Sequence, residues 1–561
     1  MGFFIGISLC FKIIIFISLR FFIRLSLAIM TEKIHKRRED LFFFLLLLTA
    51  AVFPYSEALV SITIGLLLFQ ALAFRSWNHP TVKKRSLKIV LFPFSIFGIY
   101  IVGTLFTNDF SFALYELKKV IFWLVVPLAV ILSPQLPDKK LYRVLGVFVL
   151  SVTIASFIIT GKIILNDHFQ FNGFRSLSII SHIRFSFQVV LSLIIVAWFI
   201  LKFKQLKFSF NPIFLFALFI WLVVFLFLLK SLLGIISFLG TAGIALIFYI
   251  LKLKSRQMKY FLIAALLSIV LVPVLYTARV YTDYFDFKDY DPKSVETKTQ
   301  AGNRYRHNFS EHARENGYLV YVYICEEELR QEWNKHSEIK YGDNLNGYPL
   351  SSTLIRYLTS LGYRKDSVGV SRLTPKDIKL IEQGVTNHKF DNRFFSIYPR
   401  IYETIWELDN YFRTGNPNNK SLAQRIEYIK ASLFIIKENP WLGIGTGNWV
   451  IEYNEVYDQM DSKLDDEKRG PSHNQYLNYM VKFGVIGFLW ILFAILYPVF
   501  HLGHRRNFIF IFFLIAIAFA NLGDANLETH MGLSFFSFFY FLFLWNSTIE
   551  MKRSIVKQQV L

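Results

Sequence analysis

The residue best suited to proton chemistry in this chain is His473, in Ser472-His473-Asn474, at the entrance to a long apolar run. An imidazole exchanges a proton near neutral pH. Ser472 reads as the N-cap of the helix that follows, which would set His473 where water meets lipid. Two arginines have matching chemistry. Arg184 lies in Ser181-His182-Ile183-Arg184-Phe185, and Arg425 in Gln424-Arg425-Ile426-Glu427-Tyr428. Arginine is always charged, and its planar fork fits pairs of anionic oxygens. Arg184 starts an apolar run, where an ionisable group is costly unless it is used or reaches back to water. Its plain alternative is a helix anchor. Arg425 begins an amphipathic helix. Its plain alternative is a solvated face or a salt bridge to Glu427 or Glu438.

Other groups could take part. Asn439-Pro440-Trp441-Leu442-Gly443-Ile444-Gly445-Thr446-Gly447-Asn448 is strong turn punctuation. Its glycines, Gly443, Gly445 and Gly447, could form an anion-binding nest of backbone N–H groups, or simply a tight turn. No Gly-Lys-Ser/Thr follows, so the run is not a nucleotide-binding P-loop. Asp524, Asn526, Glu528 and His530 could hold a sugar or be merely solvated. His182, His307 and His312 read as surface residues. Cys10 sits in an apolar run and Cys325 in a polar segment, which argues against an internal disulfide. With no CxxC or HExxH, no metal site can be argued.

The elements that must position these residues are set by composition. The chain is 54% hydrophobic and 18% aromatic, with a mean hydropathy of +0.42. Its apolar runs have the length that spans a bilayer. The net charge of +21 is concentrated mostly in short loops between those runs, which argues for membrane topology rather than nucleic acid. Twelve spans are expected near 41–54, 57–74, 89–106, 120–133, 145–164, 185–201, 210–229, 231–251, 260–278, 475–500, 507–522 and 531–547. Basic residues follow every even-numbered span, which puts both ends in the cytoplasm. Lys118-Lys119, placed outside, runs against this scheme. The expected organisation is therefore an apolar and basic segment at 1–40, nine helices over 41–278, an outward segment at 279–474, three helices over 475–547 and a cytoplasmic tail at 548–561. Translation starting at Met30 and an extra N-terminal helix both fit the first 29 residues. Within the outward segment, Tyr318 to Ile324 reads as a strand and Glu326 to Lys335 as a helix. Thr374-Pro375 reads as a helix start, ended by Gly384. The fold class is an all-α polytopic membrane protein with a large extracytoplasmic α+β insert. Its insert, 279–420, reads most simply as a packing or acceptor-shaping element.

The two blocks, Asn439 to Asn448 and then His473-Asn474-Gln475-Tyr476-Leu477 through Gly484 and Gly487, resemble in type and order the signature of the O-antigen ligase and polymerase-like membrane proteins of the bacterial envelope. The resemblance implies a GT-C-like, multi-pass protein of the inner membrane with its large loop in the periplasm. It implies transfer of a glycan from an undecaprenyl-diphosphate carrier to an acceptor hydroxyl. For a ligase that acceptor is lipid A-core; repeat-unit polymerases and protein O-oligosaccharyltransferases share the signature. It implies His473 as general base and Arg184 and Arg425 on the carrier diphosphate, with no cofactor. Lys230, Gly443, Gly445, Gly447, Asn448 and Asn474 would line the substrate site. Where many members carry a Ser-Arg pair, this chain has Lys230-Ser231, and lysine does not replace the bidentate fork.

A lipid-linked glycan transporter or flippase would share the spans and the outward arginines. Transporters usually show inverted repeats and helices broken near the midplane. The sequence shows neither.

Overall fold

The computed structural model describes residues 32–74, 88–133, 135–165, 177–288, 290–345, 347–390, 397–501 and 507–546. Cys10, Met30, most of the 1–40 segment and the tail lie outside the described residues. The protein is mostly helical. It separates into one compact unit of residues 1–251 and 425–561 and a second of residues 252–424.

The first unit is a helical membrane bundle. Among the described residues of the whole chain, five helices are long and apolar enough to cross a bilayer: Asp138–Leu165, His182–Leu201, Leu232–Lys252, Arg256–Phe285 and Gln475–His501. Glu57–Ala73, Ile213–Leu228 and Phe508–Ala520 are apolar and shorter. The bundle is built around His530–Asn546, in which every residue from Met531 to Asn546 is buried. A helix that is apolar on all sides must be enclosed by others. Its phenylalanines supply the packing. Phe53 meets Phe535, Phe538 and Phe539 at 5.4–5.8 Å between ring centroids, and Phe513 meets Phe536 at 5.8 Å. At the end of this helix Trp545 Nε1 donates to the Ser133 carbonyl at 2.9 Å, and Asn546 Oδ1 accepts from Leu136 N at 2.8 Å.

The second unit holds the long apolar helix Arg256–Phe285 and a small α+β assembly. Two antiparallel hairpins of two-residue strands, Arg314–Glu315 with Tyr318–Leu319 and Asn344–Leu345 with Tyr348–Pro349, lie among short helices. Leu329, Trp333, Leu354, Tyr357, Ile381 and Tyr402 form its core. The strand expected over Tyr318 to Ile324 stops at Leu319. Beyond it the chain turns, with Tyr323 in the left-handed region at φ 60°. The expected helix at Glu326 forms as Glu326–His336. Thr374 caps Pro375–Glu382 in a capping box with Asp377, and Gly384 follows it at φ 77°. Cys325 is a buried free thiol.

Candidate functional site

The segment before His473 packs two helices together. Ser421–Glu438 and Trp449–Gln459 meet through Tyr428, Ala431, Ile435, Tyr453, Val456 and Tyr457. Between them runs the glycine-rich block, and its partner is a break in the Gln475–His501 helix. Gly484 there has φ 63° and ψ −173°. In an unbroken helix Val485 and Ile486 would donate to the carbonyls of Val481 and Lys482. Instead Val485 N donates to Pro440 O at 2.8 Å and Ile486 N to Trp441 O at 3.3 Å. The freed carbonyls of Val481 and Lys482 accept from Ile444 N at 3.0 Å and Gly445 N at 2.9 Å. The loop thus replaces two helical rungs, which a buried backbone requires. A side chain at Gly443 would have its Cβ 2.5 Å from the Lys482–Phe483 peptide, and one at Gly484 would have its Cβ 2.2 Å from the Trp441 carbonyl.

This corrects several expectations. Gly443, Gly445 and Gly447 do not form an anion nest, because the N–H groups of Ile444, Gly445 and Thr446 already donate to backbone carbonyls. The glycines permit close approach of backbone. Asn448 is equally committed: its Oδ1 accepts from Thr107 Oγ1 at 2.9 Å and Asn108 N at 2.7 Å, and its Nδ2 donates to Phe106 O and Ile444 O. Asn474, not Ser472, caps the helix. Its Oδ1 accepts from Tyr476 N and Leu477 N at 2.9 and 3.1 Å, and its Nδ2 donates to Leu522 O. The expectation of no broken helix also fails at Gly484. The break is closed by bonds to the docked loop, so it lends no weight to a transporter.

His473 stays exposed and meets Tyr428 edge-on at 5.6 Å between centroids. Burial of the surrounding loop, with the guanidiniums of Arg425 and Arg184 nearby, holds its imidazole below the ordinary histidine value. The three residues therefore share one neighbourhood. They differ in their own partners. Arg184, at the start of His182–Leu201, is ion-paired with Asp524. Arg425 has no ion pair among the described residues, because its neighbour Glu427 is taken by Lys430 at 3.1 Å and by Ser462. Burial draws the Arg425 guanidinium below its ordinary value, so its charge is poorly solvated. Lys230 sits in the turn before Leu232–Lys252, at φ 51°; the adjacent Ser231 donates to Ser186 Oγ at 2.9 Å, two residues beyond Arg184.

Lys482, Glu116, Tyr100 and Asn478, which the sequence reading passed over, join Glu528 in a buried cluster beneath the His473 loop. Lys482 Nζ donates to Glu116 at 2.9 Å and Glu528 at 2.8 Å, all three being nearly fully buried. Tyr100 OH and Asn478 Nδ2 also donate to Glu528, at 2.9 and 3.1 Å. Ser472 Oγ in turn donates to Asn478 Oδ1 at 2.7 Å. The chain of bonds runs from Lys482 to the residue beside the imidazole. A lysine inside an apolar helix was the available signal. Glu116 also binds Lys119 at 2.5 Å, so one of the two lysines that ran against the expected topology is neutralised by an ion pair. Asp524 and Glu528 are thus neither solvated nor free for sugar, and His530 is within 3.2 Å of Ser61 Oγ.

Residues 383–492 match a family model described as O-antigen ligase. On that segment the chain is similar to the O-antigen ligase and polymerase-like proteins. The segment holds Arg425, the glycine block, His473, Lys482 and Gly484, whereas Arg184, Lys230 and Glu528 fall outside it. The chain is also similar to a protein of Haemophilus influenzae described as uncharacterized, 30% identical over 121 residues. That match covers 20% of this chain and 28% of the relative.

Proposed function

We propose that this protein transfers a glycan from undecaprenyl diphosphate to an acceptor hydroxyl at the periplasmic face of the inner membrane, with lipid A-core as the acceptor. What supports the reading is geometric: Tyr428, one turn from Arg425 on the same helix, meets the His473 ring, Arg425 has no ion pair among the described residues, and the His473 imidazole is held below its ordinary value. A neutral imidazole at working pH is a base. Its site accepts the hydroxyl proton as the acceptor oxygen attacks the anomeric carbon. The bond from that carbon to the diphosphate oxygen breaks, and the diphosphate leaves with the electron pair. Arg425 stabilises the growing negative charge. Arg184 adds a second positive group whose pairing with Asp524 makes it the weaker anion site, and Lys230 lies beside Ser231, which bonds to Ser186 of the Arg184 helix. The imidazolium then returns its proton to water.

The test uses the full-length protein in detergent with undecaprenyl-diphosphate glycan and lipid A-core. Product formation that is lost in His473→Ala, with an unchanged unfolding midpoint, supports the reading. Ordinary turnover by that variant removes His473 as base. Products that lengthen without lipid A-core assign the same chemistry to polymerisation.

A further inference from the structure

A groove of about 460 Å³ opens between Asp138–Leu165, His182–Leu201 and Ile213–Leu228, at the end of the bundle away from His473. Arg184 begins the second of these helices, while the groove touches its other end at Val196 and Phe199. The basic loops that set the topology assign this end to the cytoplasm. The walls are apolar, and among them Leu150 and Phe214 are 58% and 65% exposed, so the groove faces the surroundings of the bundle. From Lys139 to Thr153 it follows one helix over fourteen residue-to-residue rises, roughly 21 Å. The hydrocarbon of one leaflet is about 15 Å deep, so the groove reaches from headgroup level to the midplane.

Two cations stand at its mouth. Lys139 and Arg143 line the groove one turn apart, both exposed, and neither has an ion pair among the described residues. The adjacent Lys140 takes the nearby carboxylate, Asp40, at 3.2 Å. Lys202, Lys204 and Lys207 lie on the connection that closes the groove's other side. An apolar slot one leaflet deep under unpaired positive charge is complementary to one kind of molecule. We propose that this groove is a binding site for an anionic phospholipid of the inner leaflet. Its phosphate lies between Lys139 and Arg143, and one acyl chain lies along Val149, Leu150, Thr153 and Phe214. Basic pockets between membrane helices on the cytoplasmic side are suited to such headgroups.

The experiment is native mass spectrometry of the full-length protein after exchange into micelles with equal phosphatidylglycerol and phosphatidylcholine. The wild type retains phosphatidylglycerol with roughly a thirtyfold preference, the strength two basic residues near a surface supply. Lys139→Gln/Arg143→Gln brings the two lipids to equal retention. Gly146→Phe fills the groove, where a Cβ at Gly146 meets nothing within 4 Å, and cuts retention of both lipids. Equal retention of the two lipids by the wild type overturns the proposal. So does an unchanged preference in the double variant, or full retention by a folded Gly146→Phe.

Discussion

Replacing Lys482 by methionine tests whether the buried ionic cluster holds the His473 loop. Lys482 is 5% exposed and bridges two carboxylates that are 0% and 6% exposed. With Lys119 the cluster has two cations for two anions. Methionine preserves most of the side-chain volume and removes one cation. Glu116 keeps Lys119, whereas Glu528 keeps only the neutral donors Tyr100 and Asn478. Removing one partner of a buried pair costs about 3–5 kcal/mol, because the remaining charge is stranded. That is a large part of a typical folding stability of roughly 5–15 kcal/mol. The second variant, Lys482→Met/Glu528→Gln, removes the stranded charge, and its amide oxygen still accepts from Tyr100. It should recover most of the loss, since neutral replacement of a buried pair is often harmless. The readouts are the unfolding midpoint in detergent and hydrogen exchange at residues 472–480. A midpoint in Lys482→Met equal to that of the wild type refutes the cluster's role. A double variant no more stable than the single one refutes the stranded-charge account.

Further outcomes follow from the site. Glycan transfer should lose activity on an acidic limb lying below pH ~6.5, since burial and two guanidiniums keep His473 neutral down to lower pH than usual. Arg425→Ala removes one of those positive charges, so the limb of the residual activity should move to higher pH; a limb that stays fixed separates the two residues. The same variant should lower kcat about 10²–10³-fold, the usual effect of losing one anion-stabilising donor, and Arg425→Lys should restore only part of it. Gly484→Ala places a Cβ 2.2 Å from the Trp441 carbonyl at φ 63°, and should lower the unfolding midpoint and expose the 440–446 amides to exchange. Thr374→Ala should speed exchange in Pro375–Glu382 while transfer is unchanged, since a lost cap costs about 1 kcal/mol.

The helical membrane character was legible because apolar run length reports directly on bilayer thickness, and the Thr374-Pro375 start because its capping chemistry is local. His473, Arg184 and Arg425 stood out as candidates by residue type. The state of each was not legible in the sequence. Whether an arginine is paired depends on Asp524, some 340 positions from Arg184, and no spacing reports that. The glycine block left two readings open for a related reason. Its three glycines satisfy the requirements of an anion nest and of a close backbone crossing equally well, and what decides is where the N–H groups of Ile444 and Gly445 point. Asn474 and Ser472 exchanged roles because both are good caps two residues apart, and Ser472 is drawn away by Asn478.

The rung exchange at Gly484 has a bearing on biogenesis. Until residues 440–445 dock, the Gln475–His501 span enters lipid with two donors and two acceptors open, each costing several kcal/mol there. Its insertion and the closure of the preceding soluble loop must therefore be completed as one event. A chain cut between Asn448 and Ser472 should yield two fragments, each unable to mature without its counterpart.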